Sequence, residues 1–307
     1  MNADKCRFSV PVLLATLLFS LSAIGQAVPS EPVQVRQIVD GTAIYAVKVQ
    51  NNSLNSKLMS RKMPFRVILP RGYSANKSDG PRYSVIYLLH GLTGHFDNWT
   101  DKTKLAEYAV KHNFIIVTPE GDNGWYTDSV SAPNDKYESY IVKELIPEID
   151  KNYRTLADRK SRAIAGLSMG GYGGLKFGMK YPDMFTLAGS FSGALGVTSF
   201  SDGRDAVFSK TINAVFGPAD SETRKANDLF GLVKALTPEK TKTLPFLYVD
   251  CGTEDFLFQN NRDFIQLLIE KKVPHEFREL PGAHDWTYWN SQVEQFLEMA
   301  EKHLVPG

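Results

Sequence analysis

The sequence predicts an α/β fold: a mainly parallel central sheet with helices on both faces. Three observations lead there. Nearly continuous apolar, β-rich runs recur at 83–89, 114–117, 161–165, 187–191 and 244–249, as strands buried on both faces require. Segments of helical periodicity lie between or after them, at 102–111, 137–150, 169–180, 262–271 and 291–303. A chain of 307 residues, 43% of them hydrophobic, can bury a core of that size in one domain. Strands alternating with helices then imply crossover connections and parallel pairing.

Taken in order, the chain opens on Lys5 and Arg7, followed by an apolar run over 8–24 and small residues at Ala23-Ile24-Gly25 and Gly25-Gln26-Ala27. That pattern predicts a secretory signal peptide at 1–27, cleaved between Gly25 and Ala27, and a mature domain at 28–307. No later segment is long and apolar enough to span a membrane, so no stable insertion is expected after cleavage. Alternating stretches at 42–49 and 64–69 predict early antiparallel strands, and 275–280 a last strand. The mostly helical, polar stretch at about 198–238 breaks the rhythm and reads as an excursion or partial lid within one domain. Lysine plus arginine number 35 against 34 acidic residues, which forces no basic face on the chain, and nucleic acid is not expected as a partner. With Cys6 in the signal peptide, Cys251 stands alone and no intramolecular disulfide forms.

The strongest chemical signal is Gly166-Leu167-Ser168-Met169-Gly170, between a buried strand and a helix. A nucleophile elbow needs that setting: the turn is sharp, its flanks must be small, and the serine hydroxyl is presented at the sheet's edge. Ser190 and Ser192 lack this context. The acid of such a site follows the serine, and 244–258 puts Glu254 and Asp255 just past a strand's carboxyl end, where open α/β sheets carry their sites. Asp255 is preferred to Glu254, and to Asp250, which lies too close to the strand. The base comes last: His284, in the loop before the final helix, is preferred to His275 in the edge strand and to terminal His303. An oxyanion needs two preorganised N–H donors, expected at Met169 and at Leu92 in the loop His90-Gly91-Leu92. His90 and His95 sit in that glycine-rich loop without a third ligand in a metal-binding pattern, so neither metal nor cofactor is expected. His95, Phe96, Trp99, Trp125 and Tyr126 are candidate substrate contacts; the alternative for the aromatics is loop packing, which Trp286 favours.

The loop HGLTGHFDNW (90–99), the loop GDNGWY (121–126), GLSMGGYGG (166–174), CGTEDFL (251–257) and GAHDW (282–286) together resemble one family. It is the esterase family of α/β-hydrolases that includes esterase D / S-formylglutathione hydrolases, tributyrin and feruloyl esterases and mycolyltransferases. The resemblance covers roughly 62–304. It implies an α/β-hydrolase fold, a Ser168–His284–Asp255 triad, and Leu92 and Met169 amides as the oxyanion hole, without a cofactor. GLSMGG stands where the glutathione branch usually shows GHSMGG, so the tributyrin and feruloyl branch is the nearer one. The expected function is a secreted or periplasmic serine carboxylesterase acting on short-chain acyl or aryl esters. The alternatives are an acyltransferase, a thioesterase of the S-formylglutathione hydrolase type, or a non-catalytic binding protein on the same fold. An acceptor alcohol separates the enzymes, and the complete triad argues against the last.

Overall fold

The computed structural model describes residues 33–39, 42–74, 80–200 and 206–306; the expected signal peptide lies outside them. The strands are β1 (Val33–Val39), β2 (Thr42–Ser56), β3 (Arg61–Leu69), β4 (Ser84–Leu89), β5 (Phe114–Pro119), β6 (Arg162–Gly166), β7 (Leu187–Phe191), β8 (Phe246–Gly252) and β9 (His275–Leu280). They form one sheet in the order β1-β2-β3-β5-β4-β6-β7-β8-β9. The first three strands and the β3–β5 pair are antiparallel, and from β5 to β9 every pair is parallel. The apolar runs behave as their composition requires: every residue of β4, β5, β6 and β7 is buried. β1 is a strand beyond those expected, and β2 extends past 49 to pair along all of β3.

The strand order reverses between β4 and β6. From β4 the chain steps outward to β5, and from β6 it proceeds the other way through β7, β8 and β9. The crevice at the carboxyl ends of strands on either side of such a switch is where open α/β sheets bind ligands. Here the loops that meet there are 90–97 after β4 and 167–168 after β6.

The helices differ from expectation where side chains interrupt them. The segment 102–111 is not one helix: Asn98–Asp101 and Leu105–Tyr108 are separate, because Thr103 Oγ1 takes the Leu105 N–H and Asn290 Oδ1 takes that of Lys104. Over 137–152 the helix widens to a π-turn at Ile141–Leu145, just before Pro147, which has no N–H to donate. The last helix starts earlier, at Trp286, capped by Asp285, which accepts from the Tyr288 N–H at 3.0 Å. The stretch 198–238 carries helices Ala206–Phe216, Glu222–Ala226 and Leu229–Lys234. Among the described residues no helix is long and apolar enough to cross a membrane.

Helix Met169–Lys180 lies buried over its length from Met169 to Gly178. Its closeness to the sheet demands glycine: a Cβ on Gly170 would sit 2.3 Å from the Leu89 carbonyl oxygen. The same helix carries a lysine into the core. Lys176 is wholly buried, and its Nζ donates to Tyr126 O (2.6 Å), Thr127 Oγ1 (2.7 Å) and Glu138 Oε2 (2.8 Å), three acceptors for three protons. Burial would raise the Glu138 carboxyl, yet Lys176 and Lys180 hold it down at about 2. A depressed carboxyl stabilises the fold above its ordinary value of 4.5, and that contribution is lost as pH falls toward about 2. The melting temperature should therefore drop between about pH 5 and about pH 2. Glu138→Gln should melt lower at neutral pH and lose less of its remaining stability across that window.

Candidate active site

The elbow is built from backbone constraint. After β6 the chain turns so sharply that Ser168 takes φ 52° and ψ −113°, a conformation that costs a non-glycine residue on the order of 1–3 kcal/mol. The surroundings hold it. Ser168 N–H donates to Phe191 O at 2.9 Å, and Ser168 O accepts from Tyr172 N–H at 3.0 Å and Ala194 N–H at 3.1 Å. The side chain, freed from capping its own helix, points elsewhere: Oγ lies 3.0 Å from His284 Nε2.

His284 Nδ1 lies 2.8 Å from Asp255 Oδ2. Asp255 carries no side-chain exposure, and its other oxygen accepts the Leu257 N–H at 2.8 Å, so Oδ2 is left to the imidazole. A carboxylate accepts, so Nδ1 is the protonated nitrogen and Nε2 is open to take the serine proton. The structure thus brings Ser168, His284 and Asp255 into one hydrogen-bonded line from three strand ends. Glu254 faces the other way: its Oε2 accepts the Gly282 N–H at 2.6 Å and its N–H donates to Gly282 O, clasping the loop that carries His284. Asp250 lies fully buried within β8 beside Tyr248 and Tyr288, and burial pushes its carboxyl well above the usual range. His275, the first residue of the edge strand, donates its Nδ1–H to Val273 O, and His303 stacks on Phe246.

The two expected oxyanion donors are available. Met169 is the first residue of its helix and has no intrahelical acceptor for its N–H. Among the described residues the Leu92 N–H makes no hydrogen bond. The loop holding Leu92 presses on the elbow: a Cβ on Gly91 would come within 2.5 Å of Leu167 Cδ1 and 3.4 Å of Ser168 Cβ. A groove of about 420 Å³, lined by Arg61, Asp122, Asn123, Tyr137 and Lys210 among others, opens beside the same loop, where Asn123 Oδ1 accepts the Thr93 N–H at 2.8 Å.

Three of the candidate substrate contacts are corrected by burial. Trp99 is wholly buried, donates Nε1–H to Leu89 O at 3.0 Å and packs edge-on against Phe191 and Trp286. Trp125 is buried against Tyr172 and Phe216. Tyr126 is buried with its hydroxyl donating to His90 O at 2.9 Å. All three anchor loops from beneath, since an apolar ring in a strand-end loop gains more from the core than from water. Phe96 is half-buried under the Arg66 guanidinium, and exposed His95 pairs with Glu120 at 3.2 Å.

His95, Glu120 and Asp122 offer ligand atoms within 4.8 Å of one another. Glu120 is already engaged as a brace: Oε1 accepts from Gly121 and Asp122 N–H and faces His90 Nε2, while Oε2 accepts from Phe96 N–H and faces His95. Burial opposes its charge, but His90 and these donors bring the carboxyl down to about 2.

The residue that the sequence reading missed is Phe256. It is 78% exposed, and its ring lies 4.6 Å from that of His284, whose other side meets buried Trp289 at 4.9 Å. The signal was its place, an aromatic directly after the triad's acid. Cys251 is buried, and burial pushes its thiol up, away from reactivity.

Comparison with known proteins gives one answer. The family described as "Putative esterase" matches residues 56–299. An acetyl esterase of Caldicellulosiruptor saccharolyticus is 30% identical over 256 residues, 80% of this chain and 96% of the relative. The mouse S-formylglutathione hydrolase is 27% identical over 74% of this chain and 83% of its own length. Among solved structures, the Staphylococcus aureus serine hydrolase FphF superposes with a TM-score of 0.75 at 28% identity, covering 83% of this chain and 98% of that one. A ferulic acid esterase superposes at 0.74 and 30% identity, covering 84% and 99%. The elbow, the switch-point sheet and the matched span agree, and the chain belongs to this esterase family, with the α/β-hydrolase fold.

Proposed function

We propose that this chain is a serine carboxylesterase that cleaves esters of short acyl or compact aryl acids through an acyl-enzyme. The observation that supports it most is the hydrogen-bonded line Ser168–His284–Asp255, set on a strained elbow beside two amides without acceptors. Ser168 Oγ attacks the ester carbonyl while His284 Nε2 takes its proton. Leu92 and Met169 N–H bind the oxyanion, and Asp255 stabilises the imidazolium. The imidazolium then protonates the leaving alkoxide, and water, activated by the same His284, releases the acid and regenerates Ser168. Acetyl and ferulic esters are the first substrates to try, because similar proteins carry those names. Phe256 offers an apolar surface at the imidazole for the acyl or aryl group. Export is part of the proposal, resting on Lys5, Arg7 and the apolar run 8–24.

Ser168→Ala should abolish turnover of p-nitrophenyl acetate with the fold intact, and a fluorophosphonate should label Ser168 alone. Labelling at another serine, or activity in the mutant, defeats the assignment. Asp255→Asn should lower kcat by up to about 10⁴ because the imidazole loses its tautomer, with Glu254→Gln costing far less. A reversed order would make Glu254 the acid.

Phe256→Ala should lower kcat/KM for aryl esters by about tenfold, as lost apolar contact of 1–2 kcal/mol implies, and leave acetate esters of small alcohols nearly unchanged. Rates rising steadily from acetate to palmitate would contradict the compact acyl site, and an acceptor alcohol that diverts most product into a new ester would make the chain a transferase.

A further inference from the structure

His90 belongs to no step of the chemistry above, yet its side chain and backbone are engaged on every side. Its Nδ1 lies 2.8 Å from Gly91 O, a carbonyl that can only accept, so Nδ1 carries a proton and donates. Nε2 faces Glu120 Oε1 at 3.1 Å and the Gly121 N–H at 2.9 Å, and so finds a partner whether or not it is protonated. The ring is wholly buried and meets the Tyr126 ring edge-on. Its backbone oxygen accepts the Tyr126 hydroxyl at 2.9 Å.

These contacts fix two successive peptide planes. A trans peptide is planar, with C=O and N–H directed oppositely. Tyr126 OH holds His90 O and with it the His90–Gly91 plane. His90 Nδ1–H and the Gly94 N–H (3.1 Å) both hold Gly91 O, and with it the plane that carries the Leu92 N–H. Gly91, between the two planes, is the residue whose backbone would otherwise turn most freely.

We infer that His90 is a positioning residue: by clamping Gly91 O with Nδ1–H it aims the Leu92 N–H at the forming oxyanion, while Glu120 and Tyr126 hold the clamp. Polarisation adds to aim, since a donor on a peptide's carbonyl strengthens the N–H of the same peptide. Tyr126 is held in turn from below. Trp125 and Tyr126 both take left-handed φ, 50° and 51°, and the buried Lys176 ammonium donates to Tyr126 O. The helix that presents Ser168 therefore also braces, through Lys176 and Tyr126, the loop that presents the second oxyanion donor.

This inference rests on the esterase reading for its kinetics, and its test includes an arm that does not. His90→Leu removes the clamp. His90→Asn keeps an N–H2 group near the Nδ1 position while giving up Glu120. With p-nitrophenyl acetate, His90→Leu should lower kcat by about 10²-fold, the scale of losing one oxyanion donor, with KM within about twofold. Inhibition by phenyl trifluoromethyl ketone, whose adduct carries the oxyanion, should weaken in parallel. His90→Asn should recover most of both. Unchanged kcat in His90→Leu, or equal losses in the two variants, overturns the inference. Should neither variant fold, Tyr126→Phe decides. It removes only the hydroxyl on His90 O and should lower kcat about tenfold at constant KM. Tyr73→Phe, which removes the hydroxyl that accepts the Arg154 N–H near the amino end of β4, serves as its stability control and should keep wild-type kcat. Wild-type kcat in Tyr126→Phe overturns the inference. The Leu92 amide resonance reads the same plane without turnover: it should move in His90→Leu and return toward its wild-type position in His90→Asn. An unmoved resonance overturns the inference even if the chain proves to cleave no ester.

Discussion

The carbonyl of Leu89, at the end of β4, is where the active end of this sheet is joined. It accepts the Leu167 N–H at 3.3 Å and the Trp99 indole N–H at 3.0 Å, and the Cα of Gly170 passes so close that no side chain fits there. One oxygen thus ties together the strand before the 90–97 loop, the turn before Ser168, and the indole that roots that loop. The arrangement works only because the helix behind Ser168 has glycine as its second residue. Any Cβ at Gly170 pushes that helix off the sheet and moves the Met169 amide away from the loop that carries Leu92.

Around that joint the protein keeps strain and charge where an ordinary core would carry neither. Ser168, Trp125 and Tyr126 hold left-handed backbone, and Lys176 with Glu138 and His90 with Glu120 are buried pairs. Removing one partner from such a pair leaves a stranded charge or an empty acceptor, which costs more than the intact pair contributes. What these groups provide is definition. Each holds a backbone group, Tyr126 O or Gly91 O, in one orientation, and the strain at 125–126 persists because Lys176 leaves that turn no alternative.

Much of this was legible in the chain. The strands buried on both faces announced themselves as unbroken apolar runs, and β7 and β9 fall on the residues the pattern gave. Ser168, Asp255 and His284 were readable because an elbow, a strand end and a loop before a helix are local patterns, and the structure sets the three side chains within hydrogen-bonding reach. What could not be read was direction. A tryptophan in a loop looks alike whether it faces a substrate or the core. Trp99 and Trp125 turned inward because the loop backbones needed apolar anchors, and Phe256 turned outward because its neighbours Asp255 and Leu257 occupy the buried side. Glu120 was silent for a related reason. Its partners His90, His95 and Phe96 lie 24 to 30 residues earlier, and no spacing rule connects them.

The bond from His284 to Ser168 spans 116 residues of chain, with β7, β8 and β9 and the helices between them intervening. A contact of that sequence separation forms only after the parallel strands beneath it have docked, and long-range parallel pairing is slow to assemble. Helical signal in refolding protein accordingly arises well before the histidine meets the serine. The two side chains can meet only once β7, β8 and β9 are all in place, so this one bond reports the completed sheet.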